Sequence, residues 1–210
     1  MTLSIVTFTL GPLDNNTFLI ADEDSGLAAV VDPSFESKLV VEETARRGWS
    51  LSAIYLTHAH FDHIAGAGEI TKACAGQCSL YLHPEDLPLY QQQGSAREFG
   101  FNLSDLPTET QPLADGQVLA LGQSRLQVRH TPGHTPGHVI FYCAEAGAAF
   151  CGDLVFAGSV GRTDLPGGSS LMLIRSIRQS ILSLPPATRL LCGHGPETTV
   201  GDEMESNPFF

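Results

Sequence analysis

Positive charge is scarce in this sequence. Its 210 residues include 11 Lys and Arg against 23 Asp and Glu, which gives a formal net charge of −12. A protein that binds nucleic acid needs a basic face to contact phosphates, and an anionic membrane surface attracts basic side chains for the same electrostatic reason. We therefore expect neither nucleic acid nor a membrane as a partner, and we expect a small-molecule ligand instead.

Long apolar runs and a secretion leader are also lacking. No stretch approaches the roughly 20 apolar residues that a membrane-spanning helix requires. The segment 2–10 alternates between apolar and polar residues, and it has neither a basic start nor a small-residue cleavage site. This pattern predicts a strand and not a signal peptide, so we expect a cytoplasmic protein.

A C-x-x-C motif is absent from the cysteines. The sequence has five Cys, an odd number, and Cys74 and Cys78 are separated by four positions. Such spacing is not typical of a zinc site, and an odd number does not suggest a disulfide framework. We expect all five to be reduced, buried thiols.

The remaining composition is that of a globular protein. Apolar residues make up 42% and charged residues 16% of the chain, and we expect one domain over residues 1–210. Apolar runs and alternation predict strands at 2–10, 17–20, 27–31, 52–56, 79–82, 118–121, 125–129, 139–142, 148–151 and 189–192. Helical spacing predicts helices at 35–47, 62–74 and 169–182. Two sheets packed face to face with helices outside would bury these runs.

Residues 83–116 form an irregular stretch rich in Pro, Gln, Gly and acidic residues. Unstructured connections of this length are uncommon in compact domains and are often functional. One interpretation of the stretch is a lid or pocket wall. The other is a surface loop that a few aromatic side chains anchor to the core.

A dense set of metal-binding residue types follows the predicted strand at 52–56. The segment T-H-A-H-F-D-H contains His58, His60, Asp62 and His63. Imidazole binds zinc, copper, iron and nickel, and a carboxylate completes a mixed nitrogen and oxygen set. A His-rich polar loop is the alternative, but further candidates in the chain argue against it.

Three later segments each place a candidate ligand beside Gly at the end of a predicted strand. They contain His134 and His138 in P-G-H-T-P-G-H, Asp153 after Gly152, and His194 in G-H-G. A single His or Asp in such a place is usually a hydrogen-bonded structural residue. Together with the first segment they indicate one metal site assembled from several loops.

These motifs resemble those of the metallo-β-lactamase superfamily over essentially the whole chain. Within it the sequence is most similar to the glyoxalase II group, the hydroxyacylglutathione hydrolases, in a short form without the C-terminal helical extension. The resemblance implies a mixed α and β fold, a single-domain αββα sandwich with the site at the sheet edges.

The resemblance also implies a role for each matching residue. The first metal would be held by His58, His60 and His134, the second by Asp62, His63 and His194, and both by the bridging Asp153. Asp62 would also orient the attacking hydroxide as a catalytic residue. His138 matches a family His that is not a metal ligand, and we expect it either to contact the ligands or to be structural.

The implied reaction is metal-dependent hydrolysis. Two divalent metals, zinc first with iron or manganese as alternatives, would supply a hydroxide at neutral pH and polarise the substrate carbonyl. A thiolate leaves with little need for protonation, so the expected substrate is S-lactoylglutathione or a related acyl-thiol. A lactonase or esterase of the same fold and a persulfide dioxygenase with one iron, held by His58, His134 and Asp153, are the alternatives.

Arg162 is the candidate substrate-binding residue. It matches a basic position that contacts glutathione in the longer glyoxalase II enzymes, and it is the basic residue nearest in sequence to Asp153. In the alternative interpretation, Arg162 pairs with Asp164 or with a nearby carboxylate. Asp164 stands where those enzymes often have an aromatic residue. The acyl-thiol, the metal and the oligomeric state stay open.

Overall fold

Two six-stranded sheets form the centre of the molecule. The computed structural model describes residues 3–210. The first sheet has the order β1-β2-β3-β4-β5-β6. Its strands are β1 (Leu3–Leu10), β2 (Asn15–Asp22), β3 (Leu27–Val31), β4 (Ser50–Tyr55), β5 (Ser79–Leu82) and β6 (Gln111–Pro112).

The second sheet has the order β14-β13-β10-β9-β8-β7. Its strands are β7 (Val118–Leu121), β8 (Ser124–His130), β9 (Val139–Cys143), β10 (Ala148–Gly152), β13 (Arg189–Cys192) and β14 (Thr198–Thr199). Between β10 and β13 the chain forms a small antiparallel ribbon from β11 (Val155–Phe156) and β12 (Ser159–Val160). The predicted strands are confirmed to within two residues at each end, except that Thr2 lies outside the described residues.

The two sheets pack face to face through alternate side chains. Phe18 of β2 contacts Phe150 of β10 edge-on, with ring centroids 5.3 Å apart. Tyr55 and Phe141 lie against each other in the same layer. Because successive strand residues point to opposite faces, the intervening residues of these strands face the outer helices. The result is the αββα sandwich that the resemblance implied.

Helices cover both outer faces. The first sheet is covered by α1 (Lys38–Arg47), α2 (Phe61–Ile64), α3 (Ala67–Ala73) and α4 (Leu87–Gln91), and the second by α5 (Ser170–Ser176) and α6 (Val200–Ser206). A π-helical turn at Ile177–Ile181 extends α5 through most of the predicted helix. Within residues 3–210, none of the helices is long and apolar enough to cross a bilayer.

The predicted helix at 62–74 is wrong as one continuous element. It is divided into α2 and α3 at Gly66, whose backbone N–H donates to the carbonyl of Pro33 at 2.9 Å. A Cβ at this position would lie 2.2 Å from the carbonyl oxygen of Ser34 and 2.1 Å from Ser37 Oγ. The close approach of these two segments, which local spacing cannot reveal, interrupts the helix.

The expectation of five reduced thiols is also wrong. Cys74 and Cys78 are joined by a disulfide just after α3, and Cys143, Cys151 and Cys192 are free and buried. The residues between the bridged pair include Ala75 and Gly76, both with positive φ. This tight turn folds the chain back and brings the two α-carbons to 5.9 Å, a separation that a disulfide spans.

Gly66→Ala tests the packing at the break between α2 and α3. Helix propensity alone would favour Ala, but the new methyl group would collide with the backbone of Ser34. We expect the substitution to lower the free energy of unfolding by about 1–3 kcal/mol, as overpacking does. Gly201→Ala in α6 is the control, since its nearest contact would be 3.2 Å. Equal urea midpoints for the two variants would contradict the explanation.

Candidate metal centre

The candidate ligands meet at one edge of the sandwich because of how the strands are paired. The segment from His58 to His63 leaves the end of β4 and enters α2. Asp153 and His194 follow β10 and β13, which are parallel neighbours and therefore end at the same edge. His134 lies in the loop that joins β8 to β9.

His58, His60 and His134 form the first cluster. One ring nitrogen from each lies within 4.8 Å of the others, and all three side chains are buried. Nδ1 of His60 and Nε2 of His134 are 2.8 Å apart. Burial and the neighbouring His134 lower the pKa of His60 to about 3, and burial with the adjacent imidazoles holds the pKa of His58 well below its usual range. The rings of His58 and His60 are therefore neutral and offer lone pairs to a cation.

Asp62, His63 and His194 form the second cluster. Nε2 of His194 is 3.1 Å and Nε2 of His63 is 3.5 Å from Oδ2 of Asp62. Burial by itself would raise the pKa of Asp62, but His63 and His194 lower it below its usual value. The carboxylate is therefore ionised and faces two imidazoles.

Asp153 lies between the two clusters and contacts both. Its Oδ1 is 3.3 Å from Nε2 of His63, and its Oδ2 is 3.6 Å from Nε2 of His134. Burial alone would raise the pKa of Asp153, but His63, His134 and His194 together hold it well below its usual range. One ionised carboxylate thus directs one oxygen to each cluster.

The residues present fit a pair of metal ions. Three buried atoms here have no hydrogen-bond partner: Nε2 of His58, Nε2 of His63 and Oδ1 of Asp153. Unpartnered buried polar atoms are costly, so such a group usually marks a bound ion or water. All the ligand positions that the resemblance implied are gathered here, with the nitrogen and carboxylate donors that zinc, iron and manganese accept.

Three of these His rings are oriented through their far nitrogens. Nδ1 of His134 donates to the carbonyl of Arg162 at 2.8 Å, and Nδ1 of His194 donates to the carbonyl of Leu13 at 3.0 Å. Nδ1 of His63 donates to Asp32 Oδ2 at 3.0 Å. Each bond holds Nδ1 on the outer side of the ring and points Nε2 into the centre, which is how proteins commonly orient a metal-binding imidazole.

Asp32 is a functional residue that the sequence analysis missed. It is buried, and besides His63 it accepts hydrogen bonds from the backbone N–H and the hydroxyl of Thr57 at 2.7 and 2.6 Å. The same hydroxyl contacts His58 Nδ1 at 3.0 Å. Its position at the end of β3, the parallel neighbour of β4, was a signal that it reaches the same edge.

Asp86 is a second missed residue. It accepts hydrogen bonds from the backbone N–H of Ala59, the hydroxyl of Thr135 and the backbone N–H of Gly137, at 3.0, 2.7 and 2.7 Å. One buried carboxylate therefore ties the loop of His58 and His60 to the loop of His134. Nothing in the irregular stretch around Asp86 indicated this, because both partners are distant in sequence.

His138 is buried next to the centre and touches Asp153 through its backbone. Its Nε2 accepts the N–H of Asp153 at 3.2 Å, and its Nδ1 is 2.8 Å from the hydroxyl of Thr131. Both ring nitrogens are thus occupied by protein groups, as expected for a residue that positions Asp153. His83 and His130 stack on one another with ring centroids 4.1 Å apart and contribute nothing to either cluster.

A pocket of about 420 Å³ opens onto the two clusters. Besides the ligands His60, Asp62, His134, Asp153 and His194, it is lined by Leu13, Phe61, Phe99, Phe156, Ser159, Val160, Arg162 and Leu165. Phe99 comes from the irregular stretch and stacks on Phe61 at 5.0 Å. Phe99 thus forms part of the pocket wall, while Tyr90 and Phe101 of the same stretch pack against the core, so each of the two interpretations of residues 83–116 describes part of it.

Arg162 lies at this pocket with its guanidinium already paired. Nε and Nη2 donate to the two carboxylate oxygens of Asp164 at 2.7 and 2.8 Å. The alternative in which Arg162 pairs with Asp164 is therefore the one that the structure shows. Its backbone carbonyl, rather than its charge, contacts the metal centre through His134.

The fold and this centre define a metal-dependent hydrolase. The family model described as the metallo-β-lactamase superfamily matches residues 10–194, and the chain belongs to that superfamily. It is similar to the hydroxyacylglutathione hydrolase GloC of Haemophilus influenzae, with 34% identity over 211 residues that cover 100% of this chain and 98% of the relative.

Two solved structures show the same architecture along nearly their whole length. TTHA1623, described in a di-iron-bound form, is 42% identical with a TM-score of 0.88, and the match covers 98% of this chain and 100% of that chain. BLEG-1, described as a B3 metallo-β-lactamase, is 34% identical with a TM-score of 0.91, covering 98% of this chain and 99% of that chain.

Asp153→Ala tests whether one carboxylate serves both clusters. We expect the wild-type protein to contain close to two metals per chain and the variant to lose both, because each cluster loses an anionic ligand. His138→Ala is expected to retain most of its metal. Elemental analysis after dialysis measures both. Equal metal loss in the two variants would contradict the separate roles of Asp153 and His138.

Asp32→Asn tests the carboxylate behind His63. An amide in place of the carboxylate weakens the hydrogen bond that orients the ring, and such losses lower metal affinity by about 10- to 100-fold. We expect a loss of that size in a competition titration with a chelator. Asp22→Asn is the control, since Asp22 is also buried and hydrogen-bonded, but to Ser25 and Ser124. A similar loss in both variants would argue against a specific role for Asp32.

Proposed function

We propose that the protein hydrolyses the thioester bond of S-lactoylglutathione or a related acyl-thiol. The observation that carries this proposal is the pocket at the metal centre. It is lined by candidate ligands, and its other described lining residues include no independent proton donor. Apart from those ligands, the lining side chains are apolar except for Ser159 and the paired Arg162.

The metal centre accounts for the attack on the carbonyl. When bound, two divalent metals supply a nucleophilic hydroxide at neutral pH and stabilise the oxyanion that forms. We propose zinc for this role, with iron or manganese as alternatives. Asp62 is the residue that we propose to orient the nucleophile, since its carboxylate is ionised, faces the pocket and is held by His194.

The leaving group explains why a thioester fits this pocket. An alkoxide or an amine must gain a proton as it leaves, and it needs a general acid within hydrogen-bond reach. A thiolate, with a thiol pKa near 8.5, leaves at neutral pH without that assistance. Since the described residues of the lining contain no Lys, no Tyr and no His outside the clusters, a thioester is favoured over an amide or an alkyl ester.

The relatives support the same reaction class. GloC is named a hydroxyacylglutathione hydrolase, and its similarity extends over the full length of this chain. BLEG-1 is named a β-lactamase, so cleavage of a β-lactam is the competing activity that the test must include.

A substrate panel tests the proposal. The metal-loaded protein should release thiol from S-lactoylglutathione or another acyl-thiol at least ten times faster than it opens a γ-lactone or a chromogenic β-lactam at equal concentration. Oxygen uptake with glutathione persulfide should be absent. Faster turnover of the β-lactam, or oxygen-dependent turnover of the persulfide, would contradict the proposal.

Asp62→Ala tests the proposed orienting residue in the same assay. We expect kcat/KM for the preferred thioester to fall by at least about 100-fold, the lower end of the range for a positioned catalytic group, because the variant loses both a metal ligand and the carboxylate that orients the nucleophile. Asp24→Ala removes an exposed carboxylate from the β2–β3 turn and is the control. If Asp62→Ala kept more than a tenth of wild-type activity, Asp62 would not be catalytic.

A further inference from the structure

We propose that the pocket selects acyl-thioesters with an apolar acyl group and a thiol that carries no net charge. The inference rests on the proposed thioester hydrolysis, and of the two substrates named there it favours a related acyl-thiol over S-lactoylglutathione. It follows from two features of the pocket. Its walls carry apolar side chains, and the charge of Arg162 is balanced by Asp164.

Apart from the candidate ligands, the walls of the pocket are mostly apolar. Their apolar residues are three Phe, two Leu and one Val: Phe61, Phe99, Phe156, Leu13, Leu165 and Val160. Leu13 and Phe99 are each 46% exposed, although both are large apolar side chains. Exposed apolar groups that rim a concave site gain free energy when an apolar ligand covers them. The walls are thus suited to an aliphatic or aromatic acyl chain.

The same walls oppose a charged ligand. Placing a carboxylate against Phe61 and Phe99 would remove its hydration without returning a hydrogen bond, which is costly. A thiol that bears two carboxylates, such as glutathione, would need cations near the mouth to offset that cost. The net charge of −12 adds a general repulsion of anions.

Among the described residues that line the pocket, Arg162 is the only Lys or Arg. Its guanidinium forms a two-point ion pair with Asp164, so its donors on that side are occupied and its charge is balanced. A ligand carboxylate would have to displace Asp164 or approach it closely. The pair therefore presents a neutral polar rim, and Asp164 acts as a specificity residue against anions.

Matched thioesters test the inference on the metal-loaded protein. One series keeps N-acetylcysteamine, an uncharged thiol, and lengthens the acyl group from acetyl to hexanoyl. We expect kcat/KM to rise about two- to fourfold per methylene until the walls are filled, the range that burial of a methylene allows. A second comparison keeps the butyryl group and replaces the thiol by glutathione, which should lower kcat/KM by at least tenfold.

Two variants assign these preferences to residues. Asp164→Asn removes the carboxylate that pairs with the Arg162 guanidinium. The ratio of kcat/KM for the glutathione ester to kcat/KM for the neutral ester should then rise about three- to tenfold at low salt. The rise should be smaller at high salt, because salt screens the interaction. Phe99→Ala should reduce the hexanoyl-to-acetyl ratio. Glu43→Gln is the control, because it breaks a comparable pair with Arg46 on α1 and changes the net charge equally.

The outcomes separate this inference from the proposed function. Preference for the glutathione ester by the wild-type protein, or no increase with acyl length, would overturn the inference and leave thioester hydrolysis standing. An unchanged ratio in Asp164→Asn would also overturn the role of the ion pair. Failure to cleave any thioester while a lactone or β-lactam is opened would overturn the proposed function itself.

Discussion

The architecture around Asp153 is the constraint on which the rest of the site depends. Its carboxylate contacts both ligand clusters at once. The backbone can pack this closely around Asp153 only because the neighbouring residues are glycines. A Cβ on Gly161 would lie 1.8 Å from the Asp153 carbonyl, and a Cβ on Gly193 would lie 2.3 Å from its Oδ1. Gly152 adopts a φ of 48° just before it. Because these glycines have no side chains, they leave room for Asp153 between the two clusters.

Two further buried carboxylates hold the surroundings of this centre in place. Asp32 joins the end of β3 to Thr57 and His63, and Asp86 joins the loop of Ala59 to the loop of Gly137. Both oxygens of each carboxylate accept hydrogen bonds. A buried carboxylate satisfied in this way makes the structure around it rigid, whereas an unsatisfied one would destabilise the fold. Ligand geometry is therefore set by contacts between segments that are far apart in the chain.

The metal centre and the pocket walls determine different properties, the type of reaction and the choice of substrate. The ligands define a chemistry that the superfamily applies to many substrates, as the names of its relatives illustrate. Selectivity has to come from the walls, and here the walls are apolar with one internally paired Arg. The irregular stretch 83–116 contributes Phe99 to one wall and Asp86 to the support of the ligands, so it connects the two parts.

The sequence by itself determined the strands, the class of fold and the set of candidate ligands. Strand and helix patterns are local, and metal binding restricts both the residue types and their spacing, so H-x-H-x-D-H and the Gly-flanked His and Asp residues stand out. What depends on contacts across the chain was decided only by the tertiary structure. Asp32 and Asp86 acquire their roles because parallel strand ends and distant loops converge, and Gly66 interrupts a helix because Ser34 lies against it. The Cys74–Cys78 disulfide and the Arg162–Asp164 pair likewise depend on how the backbone turns, which residue spacing does not specify.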